Sequence, residues 1–387
     1  MHPFDQITLA ELQRQPGVKW HHFDPDVIAL WVADMDFPVA PEIVAALQER
    51  AGGYLGYPLA TGEPGLLEAI LERMAARHGW RLHKEDVWLI NGVIPCLYLS
   101  VLACSNPGDE VIIQTPIYPP FISAVQDTGR VPRYNPLVVR NGQYQIDFLQ
   151  LETLVTPATR VLLLCHPHNP TGRVFNRKEL ERLADFVLRH NLWLVSDELH
   201  SDLLYSGEQH LPLASLHPEI GGRTITVFGP TKAFNIAGLK IGIVISQNAA
   251  LLARLKRHAR GLVTGPNVLA QMATLAAYRH AQPWLDMTLR YLDGNRRFLG
   301  DYLRKHLPGV GYLPPQATYL AWLDFRALGL GNGLYQVLLN DCRVGLNDGP
   351  QYGPGFEGFS RLNFATPRPV LAEALHRLTQ GLARYLA

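Results

Sequence analysis

The sequence predicts an α/β protein: a mostly parallel β-sheet flanked by helices in a large domain, plus a smaller α+β domain built from both termini. Three observations carry this. From about Val87 the chain alternates short apolar runs of strand length with amphipathic helical stretches, as a parallel sheet covered on both faces requires. Tyr312 to Phe325 and Ser360 to Ala365 read as strands among helices, outside that alternation. With 387 residues, 47% of them apolar, the chain can bury more than one core. The expected division is an N-terminal arm and part of the small domain at 1–48, a large domain at 49–282 and a C-terminal small domain at 283–387.

The elements follow in order. Residues up to about Arg50 contain irregular segments and a helix from Pro41. VWLI, Val87 to Ile90, is a strand, and Gly92 opens a buried helix through Cys104. The NPGD turn at Asn106 to Asp109 leads into the strand EVIIQ, after which TPIYPP is expected to form an irregular loop. Val161 to Cys165, Trp193 to Val195 and Thr224 to Phe228 are apolar strand runs. Asn176 followed by Glu179 has capping-box spacing and starts a helix through about His190. A strand at Ile241 to Ile245 precedes a helix that Asn248 can cap, and the helical region Pro283 to Leu307 bridges the two domains. A cleft between such domains is where a site that closes on its substrate would lie.

Composition excludes several classes. A formal charge of +1 offers no general attraction for nucleic acid or an anionic membrane. Cys96, Cys104, Cys165 and Cys342 lack CxxC or finger spacing and read as core thiols, not as a disulfide framework or zinc module. The N-terminal run MHPFDQITLAELQRQ carries charges where a signal peptide needs an apolar segment, so a cytoplasmic location is expected. Val87 to Gly108 has no charged residue and approaches the ~20 residues of a membrane span. Asn91, Gly92, Pro95, Asn106 and Pro107 break it into strand, turn and helix.

Ligands of open parallel sheets bind outside the carboxyl ends of the strands, and five such places carry useful chemistry. Asn91-Gly92-Val93-Ile94 follows VWLI at a helix start, where free N–H groups and the helix dipole suit a phosphate. Tyr118 follows EVIIQ and can present a flat ring. Asn169 lies in HPHNPTG, held by Pro170 and Gly172. Asp197, in SDELH, is a carboxylate placed to meet a buried cation. Lys232, in GPTKAFNIAGLK, follows a strand among Phe234, Ile236 and Ala237, where desolvation favours the nucleophilic amine. Each residue alone has a bland reading as a turn, cap or core side chain. Together they supply what a carbonyl-bearing pyridine cofactor needs: a Schiff-base amine, an acid for the ring nitrogen and a hydrogen bond beside the reactive carbon.

HPHNPTG, SDELHSDLLYSG and TKAFNIAGL resemble the class I and II aminotransferase family of pyridoxal-phosphate enzymes, fold type I. WVADMDFPVAPEI, YLGYP, NGVIPCL and PQATYLAWLDFR are more closely similar to its cystathionine β-lyase branch, the MalY/PatB-type carbon–sulfur lyases. The resemblance covers most of the chain. It implies pyridoxal 5'-phosphate joined to Lys232 as a Schiff base, with Asp197 on the pyridine nitrogen and Asn169 on the ring hydroxyl oxygen. It further implies His200 near the same edge, Tyr118 stacked on the ring, and Gly92, Val93, Ile94 and Thr231 around the phosphate. Tyr57 would reach the phosphate of a neighbouring subunit in a homodimer with shared sites. Arg361, in FSRLNF, would grip the substrate carboxylate with a bidentate fork, and Ala33 would offer it backbone contacts.

Two departures stand out. Where the family usually has a serine three residues before the lysine, this chain has Gly229, and where many members have arginine eight residues after it, this chain has Lys240. The implied activity is α,β-elimination of cystathionine or a cysteine S-conjugate to pyruvate, ammonia and a thiol. An aminotransferase needs the same inner residues and is the alternative. A zinc hydrolase on His166, His168 and His200 is a rival of another class, and a metabolite-sensing regulator a third, without a basic helix-turn-helix for DNA.

Overall fold

The computed structural model describes residues 2–59 and 61–385. Its large sheet comprises β1 (Val87–Ile90), β2 (Glu110–Ile113), β3 (Val131–Tyr134), β4 (Thr159–Cys165), β5 (Trp193–Asp197), β6 (Thr224–Phe228) and β7 (Gly242–Ile245). The spatial order is β1-β7-β6-β5-β4-β2-β3. Only β7 runs against its neighbours, pairing antiparallel with both β1 and β6, while β6, β5, β4, β2 and β3 pair in parallel. The carboxyl ends of β1, β2, β4, β5 and β6 therefore share one edge.

Both faces of this sheet are apolar. Along β4, Val161, Leu163 and Cys165 join one core cluster and Leu162 and Leu164 another, the two-residue period of a pleated strand buried on both sides. The first cluster packs under helices Val93–Cys104 (α3), Pro119–Gln126 (α4) and Ala249–Ala259 (α6). The second packs under α5 (Arg177–Arg189). Asn176 caps α5 through the expected reciprocal bonds with Glu179, and Asn248 caps α6 by accepting from the Leu251 N–H. The TPIYPP run is irregular only as far as Tyr118. Pro119 and Pro120 begin α4, because proline fits the first helical positions, whose N–H groups lack helical partners anyway.

Helix α1 (Pro41–Ala51) packs against α7 (Val268–His280), and α2 (Leu66–His78) covers the β7 side of the sheet through Leu66, Ile70 and Met74. The long helix α8 (Gln282–His306) follows α7, and a second sheet, β8 (Gly311–Tyr312), β9 (Leu320–Asp324), β11 (Phe359–Asn363) and β10 (Asn347–Asp348), lies in that spatial order under α8 and α9 (Arg368–Leu382). N-terminal residues share this core: Phe4, Leu12, Trp20 and Ile28 cluster with Leu320, Leu323, Leu362 and Leu375. Ile28–Ala29 also pairs in parallel with Val344–Gly345. Among the described residues no helix is long and apolar enough to cross a membrane.

Candidate active site

A cavity of about 630 Å³ opens between the carboxyl edge of the large sheet and the second sheet. Its walls contain Ala33, Gly92, Val93, Ile94, Tyr118, Asn169, Asp197, His200, Thr231, Lys232, Lys240 and Arg361. Every residue that the cofactor reading assigns a role is thus brought to one place, except Tyr57. That ring is wholly exposed on this chain and outside the cavity.

The convergence follows from strand order. Asp197 ends β5, with Cys165 of β4 as its register partner on one side and Val227 of β6 on the other. The Asn169 loop leaves β4 and the Lys232 loop leaves β6, so amide, carboxylate and amine emerge from three adjacent strands. Gly172, with φ of 67°, closes the Asn169 loop; a Cβ there would lie 2.1 Å from Pro315 Cβ. Its carbonyl accepts from the N–H groups of Gln316 and Ala317, joining the loop to the second sheet's approach.

Burial sets the electrostatics. Desolvation pushes the Asp197 carboxyl up to about 7, and neighbouring Glu198 adds to this, while a bond from the Leu199 N–H at 3.1 Å and the charge of Lys232 oppose it. Desolvation lowers the Lys232 amine, with Arg361 reinforcing the effect and Asp34 and Asp197 opposing it. The Lys232 Nζ donates to the Ala33 carbonyl at 2.7 Å. His200 is held down to about 3 by burial, then by Lys232 and Arg361, and stays neutral. Its Nδ1 is buried without a partner among the described residues.

Arg361, in the middle of β11, is buried and, among the described residues, meets only neutral acceptors. It donates to Asn169 Oδ1 at 3.1 Å, to the Trp31 carbonyl at 2.8 Å and to Asn347 Oδ1 at 2.7 Å. A guanidinium desolvated in this way without a counter-ion favours a carboxylate ligand. Gly92 starts α3 with φ of 95°, leaving the first N–H groups of a helix facing the cavity as an anion site. Lys240, also at positive φ, is exposed at the rim.

Gly229 does not line the cavity. A Cβ there would stand 3.1 Å from Leu199 Cδ1 and 3.2 Å from the Ile241 carbonyl, so the close approach of β6 and β7 favours glycine over the family's serine. His166 and His168 do not line it either. His166 Nδ1 accepts from the Phe175 N–H at 3.4 Å and His168 Nδ1 bonds Thr171 Oγ1 at 2.9 Å. Among the described residues no three His, Cys, Asp or Glu side chains converge as metal ligands, so the zinc constellation of His166, His168 and His200 does not assemble.

Several participants escaped sequence reasoning. The hydroxyl of Tyr319 donates to the same Ala33 carbonyl at 2.9 Å. Asn235 Nδ2 donates to the carbonyls of Met35 and Phe37, and Asn363 Nδ2 to those of Val32 and Asp34. These two asparagines clamp the WVADMDF segment over Lys232. Tyr352 and Asn347 complete the wall. The glycine- and proline-containing stretch Pro350 to Phe359 is anchored by packing: Tyr352 is fully buried against Trp322, and a Cβ on Gly349 would meet the Phe356 carbonyl at 2.2 Å. Asn235, at positive φ, lies in GPTKAFNIAGLK, Asn363 in FSRLNF and Tyr319 in PQATYLAWLDFR, but those strings carry no sign of the backbone carbonyls the three side chains bind.

The residues fit pyridoxal phosphate: a desolvated amine, a buried carboxyl awaiting a cation and a helix N-terminus for an anion. Comparison places the chain accordingly. Residues 25–378 match the family Aminotransferase class I and II, and the chain belongs to that family. Within it, the chain is 40% identical to cystathionine beta-lyase PatB of Bacillus subtilis, over 92% of this chain and 93% of that protein. The crystal structure of the PLP-bound C-S lyase from Staphylococcus hominis matches with a TM-score of 0.93 at 32% identity, covering all of both chains. The arginine–pyruvate transaminase AruH of Pseudomonas aeruginosa is 32% identical over 93% of this chain and 91% of its own.

Proposed function

We propose that this chain is a pyridoxal-phosphate-dependent carbon–sulfur β-lyase, acting on cystathionine or other cysteine S-conjugates to release pyruvate, ammonia and a thiol. The observation that carries the reading is a cavity in which Lys232 and Asp197 face a buried Arg361 that has no counter-ion among the described residues. The likeness to cystathionine beta-lyase PatB over nearly the whole chain supports elimination as the outcome.

When bound, pyridoxal phosphate supplies an aldehyde for the substrate amine and an electron-withdrawing ring that stabilises negative charge at the α carbon. Lys232 holds the cofactor and, once released, takes the α proton at Nζ. Burial lowers its basicity, which enlarges the neutral share of the amine at a given pH. Asp197, ionised opposite a protonated ring nitrogen, keeps that nitrogen charged. Asn169 already spends its Oδ1 on Arg361, which leaves its Nδ2 to donate to the ring hydroxyl oxygen, with neutral His200 near the same edge. Tyr118 flanks the ring. Gly92, Val93, Ile94, Thr231 and Lys240 receive the phosphate, with Gly229 contributing no hydroxyl. Arg361 fixes the substrate carboxylate and Ala33 lies alongside it.

The working unit in this reading is a homodimer with shared sites, Tyr57 of each subunit reaching the other's phosphate. Its wholly exposed ring, with exposed Tyr54, Leu55 and Leu59 beside it, supports this. The division at 1–48, 49–282 and 283–387 belongs to the same proposal, as does a cytoplasmic location, which the four buried free thiols favour.

The test is to incubate the holoenzyme with cystathionine and, separately, with common amino acids plus a keto acid. Pyruvate and a thiol in equal amounts are expected from the first. Keto-acid-dependent amino transfer with no thiol released would instead establish an aminotransferase, the reading that AruH keeps in view.

A further inference from the structure

Behind Asp197, on the opposite face of the sheet, lies a polar cluster with no part in the mechanism above. Successive residues of a strand point to opposite faces. Asp197 therefore looks into the cavity while Ser196 and Glu198 look away, and the Ser196 hydroxyl donates to Glu198 Oε1 at 2.7 Å. The other oxygen of Glu198 meets His210 Nε2 at 2.6 Å, and both side chains have 0% exposure. The Leu213 N–H adds a longer bond at 3.4 Å. Three hydrogen bonds thus converge on one carboxylate.

The pair is costly as a structural device. A buried polar pair of this kind contributes little net stability relative to apolar residues of similar volume, and it is enclosed by Leu213 and Phe228 together with the rings of His78 and His166. Its location explains it better. The Glu198 N–H bonds the Val227 carbonyl at 2.8 Å, and the Asp197 carbonyl accepts from the His166 N–H at 2.9 Å, so the end of β5 is tied between β4 and β6.

We propose that the buried Glu198–His210 pair is a positioning unit for Asp197: it fixes the end of β5 and places a negative charge behind the carboxylate that faces the cofactor ring. The inference rests on the cofactor reading above. Titratable groups around the unit are few. His78 and His166 pack on His210 with ring centroids 5.3 and 4.6 Å away, and Arg173 and Asp202 lie beyond them. Lys232 and the thiols of Cys96 and Cys165 lie toward Asp197. The charge of Glu198 favours a protonated cofactor, and removing it favours the deprotonated form.

The experiment is a pH titration of the visible absorbance of the holoprotein, with thermal unfolding as the control for folding. Glu198→Gln is expected to keep the fold and the bound cofactor but lower the titration midpoint by roughly half a pH unit, with kcat reduced several-fold at similar KM. Glu198→Asp, which retains the charge, is expected to keep the parent midpoint. A midpoint unchanged in Glu198→Gln, or displaced equally in both variants, overturns the proposal. Should Glu198→Gln not fold, His210→Gln carries the test: the carboxylate loses its shortest contact, the midpoint is expected to move away from the parent's with kcat reduced, and a midpoint and kcat equal to the parent's overturn the proposal. A parent protein with no cofactor band would count against the proposed function instead.

Discussion

Arg361 shows how much one side chain depends on geometry that a point charge cannot replace. Its guanidinium bonds Asn169, the Trp31 carbonyl and Asn347 at once, so it arrives at the cavity already oriented by three neutral acceptors and loses little freedom when a carboxylate binds. Lysine at this position keeps the charge but not the planar fork. Arg361→Lys is therefore expected to raise KM for the amino-acid substrate and lower kcat/KM by about 100-fold, near the ~3 kcal/mol of one strong charge-assisted bond. Steady-state kinetics check it, and the cofactor's absorbance is expected to stay unchanged because the ring is held by other groups. Kinetics matching the parent's would remove Arg361 from the carboxylate site.

At the scale of elements, the site is assembled from strand ends and one helix start. Gly92 holds φ of 95° and a Cβ there would make only an ordinary 3.7 Å contact with Pro95. The requirement for glycine is thus conformational, not steric crowding, and Gly92→Ala is expected to cost about 1–3 kcal/mol from the backbone. The strain falls on the turn that aims the first N–H groups of α3, so cofactor affinity should fall with it. Equilibrium dialysis and thermal unfolding of the apo and holo forms measure the two losses. This element was legible in the sequence because strand, glycine and helix are contiguous, as were Asn169, Asp197 and Lys232, each directly after its strand. What could not be read was the clamp on the WVADMDF segment. Its bonds run from Asn235 to Phe37, from Tyr319 to Ala33 and from Asn363 to Val32, across 198, 286 and 331 residues. No local period or cap reports such pairs. Arg361 lay in the same blind spot: an arginine in a buried strand has no chemical signature until the second sheet brings it to the cavity, and only the family resemblance singled it out. TPIYPP erred in the other direction, because two prolines that break structure within a run also suit the first positions of a helix.

For the whole molecule, the buried imidazoles set the response to acid. Desolvation holds His78 and His168 down to about 4 and His200 to about 3, and lowers His166 further below its usual range. Each stays neutral in the folded chain and takes up a proton on unfolding, so its contribution is complete above pH ~6.5 and is lost as pH falls toward its folded value. Asp197 works in the opposite sense. Its folded value of about 7 lies above that of an unfolded aspartate, so the apo protein retains a proton there that the unfolded chain releases, and its contribution declines as pH rises from ~4 to ~7. Between pH 4.5 and 6, four protons gained on unfolding against one lost leave roughly three, which is about 4 kcal/mol per pH unit at most. Over the 1.5 units of that window this amounts to about 6 kcal/mol, comparable to the whole stability of an ordinary domain, ~5–15 kcal/mol. The cofactor-free protein is thus expected to be most stable near neutral pH and to unfold cooperatively on the acid side, a trend that denaturant titrations across pH would reveal. Asp197→Asn provides the sharper check. Removing the one opposing group should make the apo protein's slope steeper by about 1.4 kcal/mol per pH unit in the same window, whereas an identical slope in parent and variant would mean that Asp197 is ionised in the empty site.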